Sequence, residues 1–299
     1  MRKVYLLYVF LSLIGFGSMA QQSTMYSQYM FSGLAINPAY AGYDDMLSLT
    51  AMGRLQSLGL EGSPNTQSFT AHTPIINNKV GVGIQFFHEQ IGVTDQTGIY
   101  GSYSYKIHMD KFTLSLGLQA GVNFYKTNYT SLVTLHPGDP IFNEDTRTVT
   151  PNIGSGAILS NKKIFVGISM PQMLSTGNQD NIIVQEKPFM IYGGMVFKLS
   201  PGIMLKPSML AKMVNGKPVE WNINAHLLIK EILWVGASFR PVNAITLLLQ
   251  IQLSEQLSFG YTYDASLGEI SSIEAGSHEL MINYKFRFSK KGAVSPRYF

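Results

Sequence analysis

Six histidines, His72, His88, His108, His136, His226 and His278, are the side chains best suited to acid–base or metal chemistry in this sequence, and they are scattered along it. None of the spacings that bring such groups together is present: there is no His-Glu-x-x-His, no Gly-x-Ser-x-Gly and no P-loop. His226 shares a face with Asn222 and Asn224 in an alternating segment, where a barrel hydrolase would hold a base; pore lining or plug contact is the commoner role for such a position. Asp139, Glu144 and Asp145 in HPGDPIFNEDTR offer oxygen ligands for calcium, but their spacing fits no EF-hand and reads as an exposed acidic loop. No catalytic residue, metal site or cofactor is assigned. No cysteine occurs, which excludes a disulfide scaffold and a lipid-anchored N-terminal cysteine.

The elements that must position these groups have a period of two. In FTLSLGLQAGVNFY, Phe112, Leu114, Leu116, Leu118, Ala120, Val122 and Phe124 alternate with Thr113, Ser115, Gly117, Gln119, Gly121, Asn123 and Tyr125. VEWNINAHLLI and the C-terminal LMINYKFRF repeat the pattern. About fourteen such segments fall near 47–55, 66–73, 79–88, 97–106, 112–125, 150–159, 163–170, 189–199, 203–212, 219–229, 232–240, 244–253, 257–264 and 279–288. Most approach the roughly nine to eleven residues that a tilted strand needs to cross a bilayer.

Composition agrees. Charged residues are 13% of the chain, about half the roughly 25% of ordinary soluble domains. Arg2 and Lys3, the apolar run Val4 to Phe16 and Ser18-Met19-Ala20 form an export leader ending before Gln21. Without Arg2 and Lys3 the basic count falls from 22 to 20 against 18 acids, a net charge of +2, which does not imply nucleic acid.

Connections decide the architecture. Alternate turns are short and polar, whereas 126–149, 171–188 and 265–278, with 56–65 and 89–96, are longer, the pattern of an outer-membrane barrel. The expected fold is all-β: a transmembrane antiparallel β-barrel of about fourteen strands, closed because lipid leaves no unpaired strand edge. A secreted β-sandwich or propeller also alternates but fits the low charge and loop asymmetry less well. Trp221, Tyr261 and Tyr263 near one end, and Phe286 and Phe288 near the other, are the candidate aromatic girdles. Lys198, Lys206, Lys212, Arg240, Lys285 and Arg287 would face the lumen, either as an anion-selective lining or as contacts to an inserted segment.

The stretch at 28–42, QYMFSGLAINPAYAG, lies ahead of this pattern. It resembles the N-terminal signature of the PorP/SprF family of type IX secretion system outer-membrane proteins, matching at Ser27, Gln28, Tyr29, Met30, Asn37, Pro38, Ala39, Tyr40, Ala41 and Gly42. RLQSLGLEGSPNTQSFTAHTP is similar to the family's next block through Arg54, Gln56, Gly59, Gly62, Pro64, Thr66, Ala71, His72 and Pro74, with Ser57 where the family commonly has Trp. Ser295 to Phe299 resembles family endings.

The expected organisation is a signal peptide at 1–20, an N-terminal periplasmic or plug segment at 21–46, the barrel at 47–288 and a periplasmic tail at 289–299, with both termini periplasmic. Tyr26 to Ile36 reads as a short apolar helix ending at Asn37, because a residue before proline avoids the α region. The segment is expected to plug or lid the periplasmic mouth through Tyr29, Phe31 and Tyr40, either sealing the barrel base or docking a periplasmic partner.

The resemblance implies a non-enzymatic translocon component in outer-membrane lipid, working with other type IX proteins including an OmpA-like periplasmic protein. It would support export or surface attachment of cargo bearing a C-terminal sorting domain, gliding adhesins among them. The candidate partner-binding residues are Gln28, Tyr29, Met30, Asn37, Pro38, Ala39, Tyr40, Gly42, Arg54, Gly59, Gly62 and Pro64. Loops 126–149, 171–188 and 265–278 would present the cargo surface. A passive porin or hydrophobic-substrate transporter is the alternative, and an outer-membrane lipid enzyme using His226 the third reading.

Overall fold

The computed structural model describes residues 26–132, 144–174, 186–241 and 244–286. The leader, His136 and Asp139, Arg287 and Phe288, and the tail at 289–299 lie outside the described residues. The alternating segments form β1 (Leu47–Leu55), β2 (Asn65–Ile76), β3 (Val80–Ile91), β4 (Thr94–His108), β5 (Thr113–Thr127), β6 (Thr146–Ser160), β7 (Ile164–Met170), β8 (Phe189–Met195), β9 (Phe197–Ser200), β10 (Ile203–Met213), β11 (Glu220–Ile229), β12 (Leu233–Arg240), β13 (Ala244–Gln252), β14 (Leu257–Ser266) and β15 (Ser277–Phe286).

All pair antiparallel in one sheet, and β1 closes it against β15 from Leu47 opposite Phe286 to Leu55 opposite His278. β8 and β9 are parts of one stave, since both pair with β10 on either side of Val196. The barrel therefore has fourteen staves. Closure pairs the strand edges, which lipid demands because it offers the backbone no alternative partner.

The two faces invert the usual soluble arrangement. Outward positions are apolar and exposed, among them Leu118, Val149, Leu247, Leu249 and Ile282, while inward Ser104, Asn123, Asn222 and Thr262 are buried. Trp221 and Phe286 are exposed on the outer face. Tyr261 and Tyr263 are half-buried and pack on His278, whose Nδ1 lies 2.8 Å from the Tyr261 hydroxyl. Of the expected lumen cations, Lys206 and Lys212 are buried, Arg240 and Lys285 half-buried, and Lys198 exposed.

One end carries the connections 77–79, 109–112, 161–163, 201–202, 230–232 and 253–256; it is called the short-turn end. The other, the long-loop end, carries 56–64, 128–145, 171–188 and 267–276. The longer connection expected at 89–96 is corrected. Strands β3 and β4 run on to pair Ile91 with Thr94, leaving a two-residue turn at Gly92 and Val93. Gly92 adopts φ +57°, the left-handed conformation that a tight hairpin needs.

Candidate functional site

Residues 26–44 occupy the lumen. The segment starts beside Arg54, Asp264 and Glu279, which lie near the long-loop ends of β1, β14 and β15, and descends to Asp44 beside Lys285 at the short-turn end. It is therefore not a lid at one mouth.

The expected helix over 26–36 does not form; the chain makes turns and two short 3-10 segments, Gly33–Ala35 and Pro38–Tyr40. A buried carbonyl needs a donor, and in a helix the donor is four residues along the chain. Here the wall supplies it: Ser169, Ser115 and Ser104 hydroxyls donate to the carbonyls of Ile36, Ala39 and Ala41 at 2.8, 2.7 and 2.6 Å. Lys106 Nζ donates to the Gly42 carbonyl.

At the upper end the segment is held by charge. Glu279 accepts the Ser27 and Gln28 backbone N–H groups at 3.0 and 2.8 Å. Arg54 reaches Asp264 at 2.6 Å, Glu279 at 3.2 Å and the Ser27 hydroxyl at 3.0 Å. The three charged side chains are at most 3% exposed, so each depends on the others for compensation.

In the middle, the Tyr29 hydroxyl accepts from Asn224 Nδ2 at 2.8 Å, and Ser208 donates to Met30 Sδ at 3.0 Å. Phe31 meets Trp234 and His226 edge-on at 5.7 and 6.2 Å. Asn37 is fully buried. Its Nδ2 donates to the Tyr192 hydroxyl at 2.8 Å and to the Ile168 carbonyl at 3.0 Å, and its Oδ1 caps the second 3-10 segment by accepting from Ala39 N–H. Proline at the following position costs nothing, because its missing N–H would be unpaired there.

Tyr29, Leu34, Ile36 and Tyr40 share one apolar cluster with Ile158, Phe165, Met190, Tyr192 and Leu210 of β6, β7, β8 and β10. Space for this contact comes from absent side chains. A Cβ on Gly117 would lie 2.1 Å from Ala39 N, and one on Gly156 2.1 Å from Asn37 Oδ1. At the lower end burial opposes the charge of Asp44, but Lys285 at 3.1 Å, with His72, holds its carboxyl down at about 2.

The signature residues thus divide. Gln28, Tyr29, Met30, Asn37, Pro38, Ala39, Tyr40, Gly42 and Arg54 are buried in the lumen, so none presents a docking surface while the segment is seated. Gly59 and Gly62 are exposed, and Pro64 half-buried, in the 56–64 loop. That loop is joined to the 267–276 connection: Leu58 N–H donates to the Gly276 carbonyl at 2.8 Å, and Ala275 N–H returns to the Leu58 carbonyl at 2.7 Å. Ser57, at φ +45°, donates its N–H to the Ser277 hydroxyl.

Sequence reading missed Asp264, Glu279, Gly117 and Gly156. Asp264 and Glu279 could have been found from strand parity, since both fall on the lumen face near the long-loop end, as Arg54 does. Of the acidic loop, Asp145 accepts from Thr130 N–H and hydroxyl at 3.2 and 2.9 Å. Neither ring nitrogen of His226 has a hydrogen-bond partner, so no carboxylate orients it as a base.

A closed barrel, apolar outside and filled inside by its own N-terminal segment, is an outer-membrane protein rather than a soluble one. The model of the family described as type IX secretion system membrane protein PorP/SprF matches residues 18–284, and the chain belongs to that family. No curated protein sequence matches. Similar solved structures include the Acinetobacter baumannii outer membrane protein Omp33, with 10% identity and TM-score 0.47 over 83% of this chain and 100% of that one. The CymD monoaromatic hydrocarbon channel aligns with 11% identity and TM-score 0.49 over 92% and 96%. The Pseudomonas putida toluene transporter TodX aligns with 9% identity and TM-score 0.48 over 85% and 93%.

Proposed function

We propose that this outer-membrane component of type IX secretion acts by binding and is neither a catalyst nor a conduit. The observation that carries the reading is the lumen filled by residues 26–44 and tied at both ends, which leaves the mouths as working surfaces. The long-loop mouth faces outward and holds cargo through its C-terminal sorting domain, supporting export or surface attachment; gliding adhesins are one client class. Its described surface includes exposed Leu58, Leu132 and Ile273. The short-turn mouth faces the periplasm, where both termini end and an OmpA-like protein associates. The leader at 1–20 is removed on export.

A photo-crosslinking residue at Ile273, which is exposed on the 267–276 connection, tests this in living cells. Capture of a secreted protein through its C-terminal domain is expected. Absence of any secreted partner, together with solute flux through purified barrels in liposomes, would overturn the reading in favour of a porin or hydrophobic-substrate transporter.

A further inference from the structure

The wall is not level at the short-turn end. Strand β7 begins at Ile164, opposite Met195, whereas the stave built from β8 and β9 runs on to Ser200. The break between β8 and β9 leaves its register unchanged, since Gly194 stands opposite Ser208 and Phe197 opposite Leu205. Val196 N–H still donates to the Lys163 carbonyl at 2.7 Å. Backbone groups of alternate residues in a strand point to the same edge, so the N–H and carbonyl of Lys198 face the side that β7 has left. Among the described residues β9 has a strand neighbour, β10, on one side alone. The result is a notch in the rim with an open sheet edge along one flank.

Charge and apolar surface meet at this notch. Lys162 and Lys163 of the 161–163 turn and Lys198 of β9 are exposed. Neither that turn nor β9 and β10 contain a carboxylate. The other lysine-bearing short turns differ: Asp110 precedes Lys111, Glu231 follows Lys230, and Asn78 beside Lys79 donates to Asp45. Ile164, Phe197, Leu199 and Ile203, next to the three lysines in the chain or across the hairpin, are exposed. The apolar outer band of a barrel lies in hydrocarbon, so ammonium groups at its margin reach headgroup depth with their stems along apolar surface.

We propose that this notch binds the phosphate headgroup of an anionic phospholipid, held by the Lys162, Lys163 and Lys198 ammonium groups with a hydrogen bond from the Lys198 N–H. The acyl chains lie along Phe197 and Leu199. Lysines clustered at a membrane surface attract anionic lipid, and phosphate oxygens accept charge-assisted hydrogen bonds from them. A lipid fits better than an acidic protein because apolar side chains flank the lysines at the margin of the lipid-facing wall. Lipid bound there supplies an acceptor to the open edge and stabilises the barrel by mass action. The site is independent of the cargo reading and stands or falls separately from it.

The test is thermal unfolding of the full-length mature barrel in neutral detergent. Phosphatidylglycerol is titrated against phosphatidylcholine of the same acyl chains at fixed total lipid. Phosphatidylglycerol is expected to raise the melting temperature saturably where phosphatidylcholine does not. In the triple variant Lys162→Gln, Lys163→Gln, Lys198→Gln, half-saturation is expected at about tenfold higher concentration or more. The control variant Lys79→Gln, Lys111→Gln, which changes lysines outside the notch, should keep the wild-type value. An equal rise with phosphatidylcholine, an unchanged half-saturation in the triple variant, or an equal weakening in the control would overturn the site. The same rise produced in phosphatidylcholine by inorganic phosphate would assign the notch to a free anion, and by polyglutamate to an acidic protein; either removes the lipid. Should the triple variant not assemble, Lys198→Gln alone is read the same way: a weaker half-saturation supports the site, and an unchanged one removes it.

Discussion

The lumenal segment and the 56–64 loop carry two halves of one sequence signature, yet they are built on opposite terms. Between Ser27 and Tyr43 the chain is nearly all buried; wall side chains from β4, β5, β7 and β15 meet its backbone carbonyls and amides, and Arg54 of β1 and Asn224 of β11 meet its Ser27 and Tyr29 hydroxyls. The loop lies at the long-loop mouth, with Gly59 at φ +100°, Gly62 at φ +74° and Leu58 exposed. A shared motif therefore joins residues that hold the barrel's contents to residues exposed at the long-loop mouth. Substitutions in the first group should register as stability, and those in the second as binding.

The largest effect is expected at Arg54. Arg54→Met leaves Asp264 and Glu279 buried together with no cation at their shared contact, a change worth about 3–5 kcal/mol. Unfolding of the purified barrel in denaturant measures it, with protease cleavage within residues 26–44 reporting loss of seating. Adding Asp264→Asn and Glu279→Gln should restore part of the loss. If Arg54→Met unfolds like wild type, the charge cluster does not hold the segment.

Asn37→Ala comes next, at about 2 kcal/mol, because it removes the cap of the second 3-10 segment and the donors to Tyr192 and Ile168 at once. Its protease accessibility should rise within 26–44 while the strands stay protected. Equal loss of protection throughout would mean that the segment and wall unfold as one unit, and the two-region distinction would fail.

At the short-turn end the expected effect is smaller and depends on pH. The folded Asp44 carboxyl titrates at about 2, below the unfolded value of about 3.9. Its contribution is therefore complete above pH of roughly 4 and is lost as the pH falls towards 2. Lys285 is a third exposed, so solvent screening limits the pair to about 1 kcal/mol. Asp44→Asn should destabilise by that amount at pH 7 and converge with wild type at low pH. A difference that is flat across this range would show that Lys285 does not hold the charge.

The wall was far more legible in sequence than its contents. Period-two alternation places Leu114, Leu116 and Leu118 outward, and closure requires the same inversion in every stave, so many residues repeat one signal. The segment gives no such redundancy. Its apolar run reads as a helix because nothing local reveals that Ser104, Ser115 and Ser169 will take its carbonyls. Gly117 and Gly156 look like ordinary small lumen residues, and only the occupant's backbone beside them shows why a side chain is excluded. Arg54 and Asp264 are 210 residues apart, and their meeting follows from strand register rather than from spacing. The 56–64 loop at the long-loop end leaves least to read, since exposed Gly59, Gly62 and Leu58 specify a turn without specifying what binds it.

The smallest stability effect belongs to Leu58. The side chain is exposed, so Leu58→Ser should change unfolding by less than about 0.5 kcal/mol. Its backbone N–H and carbonyl still bridge to Gly276 and Ala275, which keeps the loop in place. Loss of an apolar contact at an intact mouth should nevertheless reduce capture of secreted cargo by the Ile273 crosslinker. Unchanged capture would remove Leu58 from the binding surface. Reduced capture accompanied by a large stability loss would mean that loop and lumen are energetically coupled, and the division of the signature into a structural and a binding half would have to be given up.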